Sequence, residues 1–467
     1  MNEPSHDQEN VHVNKLSLER INQFKHHYWL DQQQQNKQNN PTPACVTIDM
    51  SSPNIGKLMS LNHIRSTIVG NALQKIYQYA GYKTVTINHK GDTGDYLTLL
   101  VFAIQTWGKE IIDEKCPLRS FTRLLRRFHE EVDLNPELDD QLYYVKRQLN
   151  QKDSKESQIL AEIYKQSNAS FDAIYDRFNV AFDLSRYESS YMNHAEEWIA
   201  AMVENGYAEI DENSVTLPLD QYELPLGLLK NGQPLYLARD IVSARDTAEK
   251  YQSDLNLYVV GNEQTTHFNQ VVASLDQYTD MNADEFIHDA LGYTAVLGKR
   301  HFNLKHEVKD IRDVLTKLEE AIRDKSDQIT FTEANDQVAE MATNSLIFTL
   351  LNHKRLEGIN LDFDHMVDLE GETFLHLLEA YRKLKQSLAD NDDLVGEAEV
   401  GQTQLSQAFR ERIYQAYMLD EPCYIAQYLA GLCALVDNEE AKEKADLLLT
   451  LCEFELGFHL LGLEISR

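Results

Sequence analysis

Three short clusters carry residue types and spacings that could do chemistry. The first is Ser52-Pro53-Asn54-Ile55-Gly56-Lys57 followed by His63-Ile64-Arg65-Ser66-Thr67, placed where a strand ends and a helix opens. A helix N-terminus offers unpaired N–H groups and a positive dipole, which suits a phosphate. The same pattern also describes a plain helix cap with a Pro turn. The second is Tyr236-Leu-Ala-Arg239-Asp240, in which Tyr236 and Asp240 share a face if the segment turns helical. A buried Asp needs a cationic partner, and a guanidinium is the best bidentate one. That partner is either a ligand or an internal neighbour such as Arg239 or Arg245. The third runs from Tyr258 to Phe268 and contains Gly261, Gln264 and His267. A Gly at a strand end before a polar cluster marks either a ligand crevice of an open α/β sheet or a tight turn.

The elements that must position these clusters follow from hydrophobic patterning. Ala44 to Asp49 reads as a short buried strand, broken at Ser51-Ser-Pro53-Asn54. A helix begins near His63 and runs to Tyr79, Gly81 closes it, and Thr84 to Ile87 is a second strand. Strand, polar loop, helix and strand make a βαβ unit of a parallel nucleotide-binding sheet. Residues 113–206 are mostly amphipathic helix. Strands near Leu235–Leu237 and Leu257–Val260 follow, and from about Val308 the pattern is helical to Arg467. The expected division is a leader at 1–43, the first half of a Rossmann-like α/β domain at 44–130, a helical insertion at 131–215, the second half at 216–307, and an all-α region at 308–467.

Composition narrows the function. The 467 residues carry a net charge of −31, with 42% hydrophobic residues. Residues 331–467 hold 10 Lys and Arg against 26 Asp and Glu, about half the excess acid on under a third of the chain. Such a segment is a poor grip for a nucleic-acid backbone but suits a basic protein partner. No apolar run is long enough to span a bilayer. The five cysteines form no C-x-x-C pair, which speaks against zinc and disulfide frameworks and fits a reducing, cytoplasmic setting. No metal site is expected.

Taken in order, the segments resemble the arginyl-tRNA synthetases. Ser51 to Lys57, Asn88-His-Lys-Gly-Asp-Thr-Gly94, Tyr258 to Phe268 and Gly371-Glu-Thr373 are each similar to a family block at its expected place. So is Phe171 to Tyr191, with Ile174-Tyr-Asp176, Phe182-Asp183 and Glu188-Ser189. The resemblance spans roughly Val46 to Arg467, and it implies that the Rossmann-like domain is of the HUP type and that the all-α region at 308–467 is anticodon-binding-like. It implies that Asp49, Asn54, Tyr236, Asp240 and Gln264 hold arginine: Asp240 on the guanidinium, Tyr236 and Gln264 orienting it, Asp49 or Asn54 on the α-amino group. It places Ser60, Asn62, His63, Gly91, Asp92, Gly261, His267, Lys299 and Arg300 on the ATP side, with His63 and Lys57 as the catalytic groups. ATP and magnesium would enter as substrate, with no permanently bound cofactor.

The chain also departs from the family pattern. The family's His-x-Gly-His motif reads Ser60-Leu61-Asn62-His63 here, so one imidazole and the Gly are replaced. Losing one donor to a transition state costs about 3 kcal/mol, and Asn62 puts a side chain where adenine would lie. The second signature loop reads Gly298-Lys299-Arg300-His301-Phe302-Asn303-Leu304-Lys305, with Phe302 and Asn303 in place of small hydroxyl residues. The family's N-terminal tRNA-contacting domain is expected to be missing. Asp420 to Tyr428 is similar to the first helix of the family's C-terminal domain, but the aromatic stretch after it is shortened to Leu432–Asn438. The reading is an arginine-binding paralogue with a degenerate ATP half and reduced or lost tRNA charging, serving to sense arginine or to transfer an arginyl group. The alternative is an active arginine–tRNA ligase that forms arginyl-adenylate from ATP and arginine.

Overall fold

The computed structural model describes residues 22–29, 43–113, 116–132, 135, 138–149, 151, 153–296, 310–325, 335–389, 405–437 and 444–465. Lys299 and Arg300 lie outside these residues. Strand β1 (Cys45–Asp49), helix α1 (Leu61–Tyr79) and strand β2 (Lys83–Lys90) form the expected βαβ unit. Gly81 adopts a φ of +98° directly after α1, a conformation that favours a residue without a Cβ. The chain then builds four helices, α2 (Tyr96–Ile111), α3 (Pro117–Val132), α4 (Leu138–Leu149) and α5 (Lys155–Arg177). Strand β3 (Leu184–Tyr187) follows and pairs in parallel with β2, so a strand of the main sheet falls inside the stretch read as helical insertion. At four residues, with Ser185 and Arg186 in it, this strand gave too weak an alternation to read.

Helix α6 (Met192–Glu204) leads into an antiparallel sheet of β4 (Glu209–Asp211), β5 (Ser214–Leu217), β6 (Leu226–Lys230) and β7 (Gln233–Pro234). The strand expected at Leu235–Leu237 is instead the N-cap and first turn of helix α7 (Tyr236–Tyr251). Strand β8 (Leu255–Tyr258), helix α8 (Thr265–Tyr278) and strand β9 (Phe286–His288) complete the α/β part. The five-stranded sheet has the order β3-β2-β1-β8-β9, all parallel. Successive strands run outward in opposite directions from β1, which opens a crevice beyond the carboxyl ends of β1 and β8. Asp49 and Tyr258 pair at those two ends.

The short strands β10 (Thr294–Val296) and β11 (Ile359–Leu361) pair in parallel, so the region read as wholly helical contributes one strand. Around them lie α9 (Ile311–Asp324), α10 (Asn335–Leu351), the single turn α11 (Phe363–Met366), α12 (Phe374–Ala389), α13 (Gln407–Leu419), α14 (Cys423–Asp437) and α15 (Lys444–Leu461). Helices α10, α13 and α15 pack on α1, which merges both regions into one continuous core. No helix among the described residues is long and apolar enough to cross a membrane.

Residues 22–29, within the stretch read as a flexible leader, are helical. Lys25 is buried and ion-paired to Asp420 at 2.5 Å, and Tyr28 donates to the Gly81 carbonyl at 2.9 Å. Tyr28 packs on Tyr82, and Trp29 on Tyr414 and Tyr417. The spacing of Phe24, Tyr28 and Trp29 was the available signal.

Candidate active site

The crevice contains a cavity of about 560 Å³. Its walls come from the ends of β1, β2 and β8, the mouth of α1, and one face each of α7 and α8. Asp49, Asn54, Tyr236, Asp240 and Gln264 all line it, as do Ser60, Asn62, His63, Gly261 and His267. Lys57, Gly91 and Asp92 do not appear in its walls.

Asp49 ends β1, and Ser51 and Ser52 then bend the chain with φ of 76° and 49°. Consecutive non-glycine residues in this region cost of order 1–3 kcal/mol each and persist only where surrounding contacts hold them. Those contacts are present. Ser66 Oγ accepts from the Ser51 N–H at 2.8 Å and donates to the Val259 carbonyl at 2.5 Å. Ser51 Oγ bonds Tyr175 Oη at 2.8 Å, and Ser52 Oγ donates to Asp49 Oδ1 at 3.1 Å. Burial pushes the Asp49 carboxyl up to about 7, against the Ser52 hydrogen bond and with the help of the nearby Asp240 charge.

Tyr236 and Asp240 sit one turn apart on α7, as their spacing predicts. Neither arginine offered as an internal partner reaches Asp240. Arg239 donates to the Pro234 carbonyl at 2.9 Å and Thr93 Oγ1 at 3.1 Å, and it lies 3.6 Å from Glu188. Arg245 turns to Asp246 and Glu249. Asp240 instead meets His267, with Nε2 at 2.6 Å from Oδ2. The third cluster therefore supplies the internal partner of the second.

His63 and Ser60 form a capping box at the start of α1. The Ser60 N–H donates to His63 Nδ1 at 3.0 Å, and the His63 N–H donates to Ser60 Oγ at 3.3 Å. A backbone N–H is always a donor, so Nδ1 accepts and the imidazole proton resides on Nε2. Burial, with the Lys57 charge second, holds the imidazole pKa down to about 4 and keeps the ring neutral. A neutral imidazole with its proton on Nε2 thus forms part of the cavity wall. Asn62 accepts from the Thr294 N–H at 3.0 Å through Oδ1, tying the mouth of α1 to β10. Arg65, fully buried one turn on, donates to the carbonyls of Gly292, Glu357 and Lys354 at 2.8, 2.8 and 3.0 Å.

Among the described residues, three of those expected at the site lie outside the cavity wall. Lys57 lies 4.1 Å from the centre of the Tyr96 ring. Gly91 bridges to Asn54, and a Cβ on it would stand 2.5 Å from Asn54 Oδ1 and 3.3 Å from Glu188 Oε1. Asp92 accepts from the Ser189 N–H at 2.8 Å, the Ser189 hydroxyl at 2.5 Å and Tyr164 Oη at 2.7 Å. It anchors the turn that swings Glu188 into the cavity. Glu188 itself, together with His89 and Glu263, lines the cavity without having been singled out for it. Burial raises the Glu188 pKa, opposed by the Thr93 hydroxyl and raised further by Asp240. Its sequence signal was the Glu188-Ser189 pair, whose role needed the fold. Among the described residues no group of three His, Cys, Asp or Glu is placed to hold a metal ion.

A parallel sheet with a helical insertion, an antiparallel appendage and a helical C-terminal region, with its cavity at the switch point, defines a class I synthetase-type α/β catalytic fold. The sequence profile described as "tRNA synthetases class I (R), catalytic domain" matches residues 26–363. The chain belongs to this arginyl-tRNA synthetase family. It is 30% identical over 429 residues to the arginine–tRNA ligase of Ligilactobacillus salivarius, covering 86% of this chain and 76% of that one. It is 28% identical over 449 residues to the arginine–tRNA ligase of Halothermothrix orenii, covering 90% and 79%. Two solved structures share the fold. The arginyl-tRNA synthetase of Thermus thermophilus superposes with a TM-score of 0.71 at 18% identity, covering 96% of this chain and 85% of that one. That of Plasmodium falciparum gives 0.69 at 19%, covering 92% and 78%.

Proposed function

We propose that the cavity binds L-arginine and that adenylate formation and tRNA charging from it are weakened. One observation carries the first part. Asp49, Glu188, Asp240 and Glu263 all line one cavity whose described walls contain no Lys or Arg. Arginine brings two cations and one carboxylate, so it offsets the burial that chiefly raises Asp49 and Glu188 and the smaller effect of the Asp240 charge on both. A neutral analogue leaves the acceptors that it covers unpaired, which is the costly mismatch in such sites. In this reading Asp240 and Glu188 face the guanidinium with Tyr236 and Gln264 beside it. Asp49 and Asn54 meet the α-ammonium.

The second part is supported by the α1 mouth. Ser60 is committed to the capping box and Asn62 to Thr294, so neither replaces the missing imidazole or leaves the clearance of a Gly. The acidity of residues 331–467 supports weak tRNA affinity. Gly91 and Asp92 are read as supports of the cavity rather than as ATP contacts. The active-ligase reading is favoured by His63, a neutral imidazole with its proton on Nε2 in the cavity wall. Calorimetry with L-arginine, then arginine-dependent ATP–pyrophosphate exchange with and without tRNA, separates them. Arginine binding with exchange reduced by at least a hundredfold against an active family member is expected. Exchange at the active member's rate refutes the weakened-activation reading, and absence of arginine binding refutes both.

A further inference from the structure

We propose that His267 is the positioning residue for Asp240, and that the Asp240–His267 pair, rather than Asp240 alone, sets the preference for a guanidinium over a neutral isostere. The inference rests on the arginine-binding reading above. His267 stands on α8 and Asp240 on α7, and their bond of 2.6 Å links the two helices across the cavity wall. An ionised carboxylate only accepts, so the His267 Nε2 bears the proton. The imidazole is fixed in turn by aromatic neighbours. Its centre lies 4.6 Å from that of Tyr236 and 5.4 Å from that of Phe268, and Phe268 stacks on His288 at 5.1 Å.

A carboxylate on a helix turns about two side-chain bonds, and each turn redirects its acceptor edge. With Oδ2 held by His267, Oδ1 and the remaining lone pair of Oδ2 form a fixed edge. Two parallel N–H donors of a guanidinium match such an edge, whereas an isostere carrying a carbonyl oxygen in place of one NH₂ opposes it. A second observation points the same way. His267 is 8% exposed, and its Nδ1 is buried with no hydrogen-bond partner among the described residues. With the proton on Nε2 and Nδ1 enclosed, Asp240 is the one hydrogen-bond partner of the ring among the described residues, so the ring's orientation and the carboxylate's are set together. Among the described residues, the α7 arginines do not supply this contact: Arg239 bonds Pro234 and Thr93 and lies beside Glu188, and Arg245 turns to Asp246 and Glu249.

Two amide substitutions of similar polarity decide the matter. Gln places its NH₂ near the original Nε2, while Asn stops near the Nδ1 position and falls short of Asp240. Affinities for L-arginine and L-citrulline are measured by calorimetry on the full chain, wild type, His267→Gln and His267→Asn, with circular dichroism to check the fold. Expected are an arginine affinity within threefold of wild type for Gln and a loss of at least tenfold for Asn. The arginine-over-citrulline ratio should fall in Asn alone. If Asn and Gln behave alike, or if Asn keeps the wild-type ratio, the positioning role is overturned. A wild-type chain that binds no arginine refutes the underlying reading instead, a result distinct from any pattern among the variants.

Discussion

With Asp49 meeting the α-ammonium as proposed, arginine binding is expected to be proton-linked, with Asp49 setting the size of the linkage. In the ligand-free protein Asp49 titrates at about 7, because burial and the Asp240 charge disfavour its anion more than the Ser52 hydrogen bond favours it. At pH 7 close to half the molecules therefore hold a proton there. A bound α-ammonium favours the anion and lowers that pKa, so binding expels about half a proton at pH 7. The release rises toward one as pH drops to 6 and fades above 8. Affinity follows: flat above pH 8, and weaker by up to tenfold per pH unit below 7, about 1.4 kcal/mol each. Calorimetry in two buffers of different ionisation enthalpy measures the released protons directly. The same group predicts a stability effect of opposite sense. A folded pKa above the unfolded value means that stability is fully present below pH 3.8 and is lost as pH rises through 7. The span from 3.8 to about 7 corresponds to about 4 kcal/mol. Asp49→Asn should accordingly raise the unfolding free energy at pH 8 by up to about 4 kcal/mol, while weakening arginine binding and abolishing most of the proton release. Buffer-independent heats together with equal affinities at pH 5.5 and 8 would refute the assignment.

Three further outcomes test other parts of the structure. Lys25→Met strands the buried Asp420 carboxylate, and losing one partner of a buried pair costs about 3–5 kcal/mol; urea unfolding should show this, and a change under 1 kcal/mol would mean that residues 22–29 do not brace the core. His63, held neutral with a pKa near 4, contributes stability that is complete above pH 6.5 and is lost as pH falls toward 4, about 3 kcal/mol in all. In His63→Gln the acid limb of the stability profile should flatten over that window, and an unchanged limb assigns the acid sensitivity elsewhere. Gly91→Ala would push a methyl group against Asn54 and Glu188, whose contacting atoms are side-chain ends free to move; thermal unfolding should shift little, yet arginine affinity should fall roughly tenfold by 1.4 kcal/mol of misplacement, and wild-type affinity would count against Gly91 as a support.

Much of the site was legible locally. The strand–turn–helix at Ala44–Tyr79 follows from a short apolar run, a Ser-Pro-Asn break and helical periodicity, all short-range effects. The shared face of Tyr236 and Asp240 follows from the helical repeat, even though the strand–helix boundary at Leu235 was misread. The cavity residues of the three clusters were named through the resemblance to the arginyl-tRNA synthetases, because locally each cluster reads equally as a cap, an internal ion pair or a tight turn. Asn62, read as an intrusion on adenine, is tethered to Thr294, and that partner lies 232 residues away.

What one chain's sequence determined by itself was therefore the local geometry: which segments are strand or helix, which side chains share a face, and which loops end in the crevice. Tertiary structure decided which charges meet. Asp240 is answered by His267 across two helices, and Glu188 arrives from behind β3 on a turn pinned by Asp92. Arg65 spans to Gly292 and Glu357, and Lys25 finds Asp420. The physical reason is common to all four. An enclosed polar or charged group must find a partner, whether an opposite charge or a backbone carbonyl, but the choice among many is made by strand order and helix packing, which act over distances along the chain that no local pattern encodes.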